Sequence, residues 1–244
     1  HIGFGYEFDK FIHVFHMPAW FFLSGYFFKR PQSLGTFVKT RVHRLIVPYF
    51  IYGLLQYPIW LLANRSAVDK LEPIKNMMFV NTNLIMPVCG AIWFLTCLFF
   101  CELIFAAITR LFKSDFRTVI ACLLLVVIGH LFSFYSDIRL PWAIDVSLIA
   151  IGFMCCGYLC NQNRNNRVFK TMMTMNFPSA VITIVLGSII SYCNGYVNLR
   201  TSTYSSAILF WLSSVLIIIG LWNLSNLITL HIKHVSELIY IGRN

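Results

Sequence analysis

Three kinds of residue in this chain could do chemistry, and each lies in or beside an apolar run. The first are His1, His13 and His16 near the start. An imidazole, with an ordinary pKa of about 6.5, can take up and return a proton near neutral pH. The second are Arg41 and Arg44, with His43 between them. A guanidinium presents a planar fork of donors that matches the oxygens of a phosphate. The third are carboxylates: Glu102 within an apolar run, and Asp145 shortly after Pro141 and Trp142.

Ionisable groups inside a bilayer are costly, so each is a candidate for function. Glu102 needs a buried cation, a polar partner or a water-filled cavity. Asp145 fits the first turn of a helix, where the dipole favours an anion. His13 and His16 are three residues apart and share a helix face. No third ligand lies near them, so they read as packing and hydrogen-bonding groups or as part of a binding site, not as a metal site. His130 follows Gly129 and reads as a packed histidine before a proton relay. Arg41 and Arg44 read either as an anchor to lipid headgroups or as a cradle for a phosphorylated ligand.

The elements that must hold these residues follow from composition. Of the 244 residues, 58% are hydrophobic and 11% charged, whereas soluble domains carry roughly 25% charged residues. Mean hydropathy is +0.73. These values imply an all-α polytopic transmembrane helical bundle, since lipid leaves backbone groups no partners outside a helix or a closed barrel. Seven runs reach crossing length. They lie near Phe11–Phe28, Leu45–Ala63, Cys89–Thr109, Thr118–Phe134, Trp142–Cys160, Phe177–Cys193 and Ser205–Trp222. The link from Asn64 to Pro87 has room for a short interfacial helix, and the tail from Asn226 to Tyr240 fits a helix lying at the inner surface. The eight cysteines have no zinc-like spacing and read as small core residues.

The net charge of +10 is not a nucleic-acid signature, because the cations sit between apolar runs. One set of links carries thirteen of them, including Lys29, Arg30, Lys39, Arg41, Arg44, Arg110 and Lys113; the other set carries six, among them Arg139 and Arg200. The richer side is expected to be cytoplasmic. The chain opens at His1 without a methionine and stops after Ile241-Gly242-Arg243-Asn244. It is therefore expected to be a single membrane domain, 1–244, cut at both ends from a longer protein.

Several stretches carry a resemblance. Phe15-His16-Met17-Pro18 is followed by Phe21-Phe22-Leu23-Ser24-Gly25-Tyr26. Arg41-Val42-His43-Arg44-Leu45 precedes Pro48-Tyr49. Ile92-Trp93-Phe94-Leu95, Leu140-Pro141-Trp142 with Asp145, Gly157-Tyr158 and Ile241-Gly242-Arg243-Asn244 come later in the same order. Together these resemble the integral-membrane acyltransferase family 3, and within it the fucose 4-O-acetylase-like acetyltransferases.

The resemblance implies a bacterial inner-membrane, multi-pass enzyme. It would move an acetyl group from acetyl-CoA onto a sugar hydroxyl of a cell-surface polysaccharide or glycolipid, without a metal. It further implies His1 as the catalytic base and Arg41 and Arg44 as holders of the CoA phosphates. His13, His16, Ser24, Trp93 and Asp145 would serve the acceptor and the reacting centre. A secondary transporter or flippase, with Glu102, His130 and Asp145 along a polar path, is the competing expectation; such proteins often carry internal repeats, and none is visible here. The partners implied are the bilayer and a sugar acceptor, with no nucleic acid; the oligomeric state is open.

Overall fold

The structure, a computed structural model, describes residues 5–65, 69–80, 88–90, 92–136 and 138–231. It is 79% helical. In chain order the helices are α1 (Gly5–Tyr26), α2 (Leu34–Arg41), α3 (Val47–Ala63), α4 (Glu72–Phe79), α5 (Trp93–Leu111), α6 (Asp115–Tyr135), α7 (Ile144–Gln162), α8 (Arg167–Met173), α9 (Phe177–Asn194) and α10 (Ala207–His231). Among the described residues, six stretches are long and apolar enough to cross a membrane: Leu34–Ala63, Trp93–Leu111, Asp115–Tyr135, Pro141–Gln162, Phe177–Asn194 and Ala207–Thr229. This is an all-α polytopic bundle. The run expected to cross at Phe11–Phe28 is not among the six. Most of it forms α1, but that helix stops at Tyr26 and takes in Glu7, Asp9 and Lys10 at its start.

Two other expectations are corrected at their boundaries. The helix expected from Leu45 starts at Leu34, so Arg41 and Arg44 lie inside a 30-residue rod and not ahead of it. A π-helical turn, Val42–Ile46, joins α2 to α3, and the N–H of Val47 bonds back to the carbonyl of Val42. Pro48 gives the reason: it has no N–H to donate, and its ring crowds the carbonyl of the preceding turn. At the other end, residues 226–231 simply continue α10; residues 232–240 lie outside those described. The short helix expected after Asn64 is α4. Asp69 starts it by accepting from the N–H groups of Leu71 and Glu72. Those bonds, the one from Leu71 foremost, and the nearby Lys75 hold the Asp69 carboxyl below its usual pKa.

The chain divides into two compact units. The first takes in the described residues up to Trp20, Cys160–Asn198, and those from Tyr204 onward. Its frame is the α9–α10 hairpin. Gly187 and Gly220 allow the two helices to meet, since a Cβ at Gly220 would stand 2.9 Å from the carbonyl oxygen of Ala180. Asn223 donates to the carbonyls of Met172 and Ile219 and accepts from the N–H of Met175, which ties down the link ahead of α9. Ser214 of α10 donates to the carbonyl of Val14 in α1.

The second unit takes in Phe21–Leu159 with Leu199–Thr203. Here the end of α1 crosses α7 at backbone contact. A Cβ on Gly25 would lie 1.8 Å from the Met154 carbonyl oxygen, and one on Gly157 would lie 1.9 Å from that of Phe22. Glycine at both positions is the small-residue solution by which membrane helices approach closely. Phe28, Phe105 and Tyr158 pack edge to face around the same crossing. Outward positions stay apolar, with Ile51, Leu54 and Leu55 on α3 and Leu123, Leu124 and Val127 on α6 exposed, as a lipid-facing surface requires.

Candidate active site

Among the described residues, the second unit contains two buried ionic centres. The first is built on Glu102, halfway along α5. Its side chain is only 5% exposed. Ser24 of α1 donates to Oε1 at 2.7 Å. Arg41 of α2 brings Nε to 2.7 Å from Oε2. The N–H is not aligned along that line, so the contact is an ion pair and not a linear hydrogen bond. Arg41 also stacks its guanidinium carbon 4.9 Å from the centre of the Phe37 ring. A carboxylate here would be strongly destabilising alone; the cation and the hydroxyl together satisfy it. Of the two sequence readings of Glu102, the partnered one is the one observed.

Arg41 faces a cleft of about 510 Å3 lined by Phe27, Lys29, Pro31, Gln32, Ser33, Thr36, Phe37, Thr40, Arg41 and Arg44. Small-molecule sites run to roughly 300–1,000 Å3. Three of the ten lining residues are cations and none is an acid, so the cleft lining carries net positive charge. Its floor is fixed by the link before α2. Arg30 donates to the Tyr158 hydroxyl, the Lys113 carbonyl and Asp115, and Arg110 donates to the Gln32 carbonyl at 3.0 Å. Those bonds gather the 27–33 and 110–115 segments, two of the cation-rich links, at one end of the unit.

The second centre joins Arg139 and Asp145. Asp145 sits in the first turn of α7, as its position after Pro141 implies. Arg139 stands 3.0 Å from Asp145 Oδ2, with the two side chains 7% and 3% exposed. Arg139 also donates to the carbonyls of Arg200 and Thr201. Between the partners the backbone is left-handed at Trp142 (φ 62°) and Ala143 (φ 55°), a conformation uncommon for residues with a Cβ. The rings of Phe50 and Phe100 flank Trp142, each 6.1 Å away.

Residues 1–243 match the family described as an acyltransferase domain, acyltransferase family 3. The chain belongs to this family. No curated protein and no solved structure matches it. Membership makes the protein an acyltransferase, and the transporter expectation falls away.

The family's sequence-marked residues are brought together only in part. Ser24 and Arg41 meet through Glu102, and Arg44 joins Arg41 along the cleft wall. Among the described residues no hydrogen bond or ion pair links Trp93 or Asp145 to that cluster. Trp93 is buried at the start of α5, where its carbonyl accepts from the Thr96 hydroxyl. His13 and His16 belong to the first unit. Their rings meet edge to face at 5.4 Å. The Nδ1–H of His16 donates to the carbonyl of Ile12 at 2.7 Å, and His13 lies 6.3 Å from the ring of Tyr196. His1 lies outside the described residues. Sequence reading missed Lys29 as a cleft residue, because membrane orientation already explains a cation in that link, and missed Arg139 as the partner of Asp145, because the turn that brings them together has no local signature.

Proposed function

We propose that this acyltransferase moves an acetyl group from acetyl-CoA to a sugar hydroxyl of a cell-surface polysaccharide or glycolipid, working in a bacterial inner membrane. The observation that carries the donor half is the acid-free cleft bearing Lys29, Arg41 and Arg44. CoA is polyanionic, and arginine forks hold phosphate oxygens two at a time. The cleft belongs to the cation-rich end, which the positive-inside rule assigns to the cytoplasm, where CoA thioesters are made.

The acceptor half rests on the resemblance. A sugar hydroxyl is a poor nucleophile near neutral pH. His1 would take its proton as the oxygen attacks the thioester carbonyl carbon. The tetrahedral intermediate then collapses, the C–S bond breaks, and the CoA thiolate leaves and takes up the proton. Ser24 donates its hydroxyl hydrogen to Glu102, so its role is to steady the carboxylate, not to stabilise an oxyanion. His13 and His16 of the first unit are proposed as acceptor contacts. In the second unit, Asp145 is proposed as the anchor that shapes the Trp142 turn through Arg139.

Membranes carrying the full-length protein and acetyl-CoA labelled in its acetyl group provide the test. Label is expected in a carbohydrate fraction, and His1→Ala is expected to abolish it. Label that goes to lipid or protein alone contradicts the acceptor class; full labelling by the His1→Ala variant contradicts the base.

A further inference from the structure

Arg41 is held from two sides. The Glu102 carboxylate takes its Nε, and the Phe37 ring lies beneath its carbon. Among the described residues its terminal nitrogens carry no hydrogen-bond partner, and the residue lines the cleft. Glu102 is itself prevented from turning, because Ser24 occupies its other oxygen. A flexible arginine loses rotamer freedom when it grips a ligand; one already fixed does not, and so binds more tightly. The arrangement also has a cost. An anionic residue beside the cleft removes one unit of the positive charge that attracts an anion. Its retention at the centre of α5 makes sense if orientation counts for more than attraction.

We propose that Glu102, braced by Ser24, is a positioning residue that presents the Arg41 fork to the phosphates of the acyl donor. This rests on the donor-cleft reading above. Charge counting and positioning predict opposite signs for one variant. Glu102→Gln raises the cleft charge by one, so attraction alone gives tighter anion binding. Positioning gives weaker binding, by roughly five- to tenfold, the scale expected of one charge-assisted contact.

The experiment measures binding of labelled acetyl-CoA to the full-length protein in nanodiscs, with S-acetylpantetheine, which lacks the nucleotide phosphates, as competitor. Glu102→Gln is expected to weaken acetyl-CoA and leave acetylpantetheine unchanged. In an Arg41→Ala background it is expected to weaken acetyl-CoA no further. Ser24→Ala keeps every charge and is expected to weaken acetyl-CoA by roughly two- to threefold, with Ser24→Thr restoring it, as the loss of one hydrogen bond implies; this pair carries the test if Glu102→Gln does not fold. Tighter or unchanged binding in Glu102→Gln overturns the inference, as does equal weakening of both ligands, which would indicate general distortion. If Arg41→Ala itself leaves acetyl-CoA binding intact, the donor-cleft reading fails; if Arg41→Ala weakens it and the Glu102 and Ser24 variants do not, only the positioning role fails.

Discussion

Arg139 and Asp145 show how a buried charge pair can matter more when halved than when removed. Both side chains are nearly inaccessible, and Arg139 also secures the carbonyls of Arg200 and Thr201. Removing one partner leaves an unpaired buried charge, which costs about 3–5 kcal/mol, whereas replacing both with apolar groups is often neutral. Asp145→Ala is therefore expected to lower the thermal unfolding temperature of the detergent-solubilised protein more than Arg139→Met with Asp145→Leu does. Thermal denaturation followed by intrinsic fluorescence checks this; equal losses would mean the pair is peripheral. Glu102 was half legible in the sequence. A lone carboxylate in an apolar run demands a partner, but which cation supplies it depends on how α2 lies against α5, and no local pattern records that. Arg139 was not legible as a partner, since it lies in a cation-poor link and no local pattern records that the chain turns back at Trp142 and Ala143 to bring Asp145 against it. His1 is marked by the family resemblance alone, and its role rests on it.

The helices were largely legible because a crossing must be long and apolar, and that signal survives without any tertiary knowledge. What blurred was where polar stretches remain helical. Pro31 to Thr36 reads as a link, yet the helix begins at Leu34 and runs through Arg41 and Arg44, with the π turn before Pro48 absorbing the missing donor. Gly25 and Gly157 were recognisable only as parts of short motifs, since the crossing that needs both to be glycine is a tertiary contact. Their close approach fixes the end of α1, and with it Ser24, against α7. Gly157→Ala is expected to destabilise the protein severely, because its Cβ would meet the Phe22 backbone at 1.9 Å, while Gly35→Ala meets nothing closer than 3.9 Å. Gly35→Ala is expected to be neutral or slightly stabilising, since alanine is the better helix former by about 1 kcal/mol. Detergent-resistant folded fraction on size-exclusion chromatography separates the two; comparable yields would refute the backbone crossing.

At the scale of the whole molecule, the membrane supplies the logic that a soluble core would otherwise provide. Six stretches among the described residues are apolar enough to cross, and in a bilayer they require that the few ionic groups be paired or open to water. Glu102 and Asp145 are paired, while Lys29 and Arg44 are exposed where a water-soluble anion could reach them. The role proposed for this open end is to hold the phosphates of the acyl donor on the cytoplasmic side. Sealed vesicles of the two orientations, each carrying the full-length protein, test it directly with labelled acetyl-CoA, which does not cross the bilayer. Saturable binding to inside-out vesicles is expected, weakened at least about tenfold in an Arg41→Ala, Arg44→Ala double variant, with none to right-side-out vesicles. Binding to right-side-out vesicles, or undiminished binding by the double variant, would contradict it.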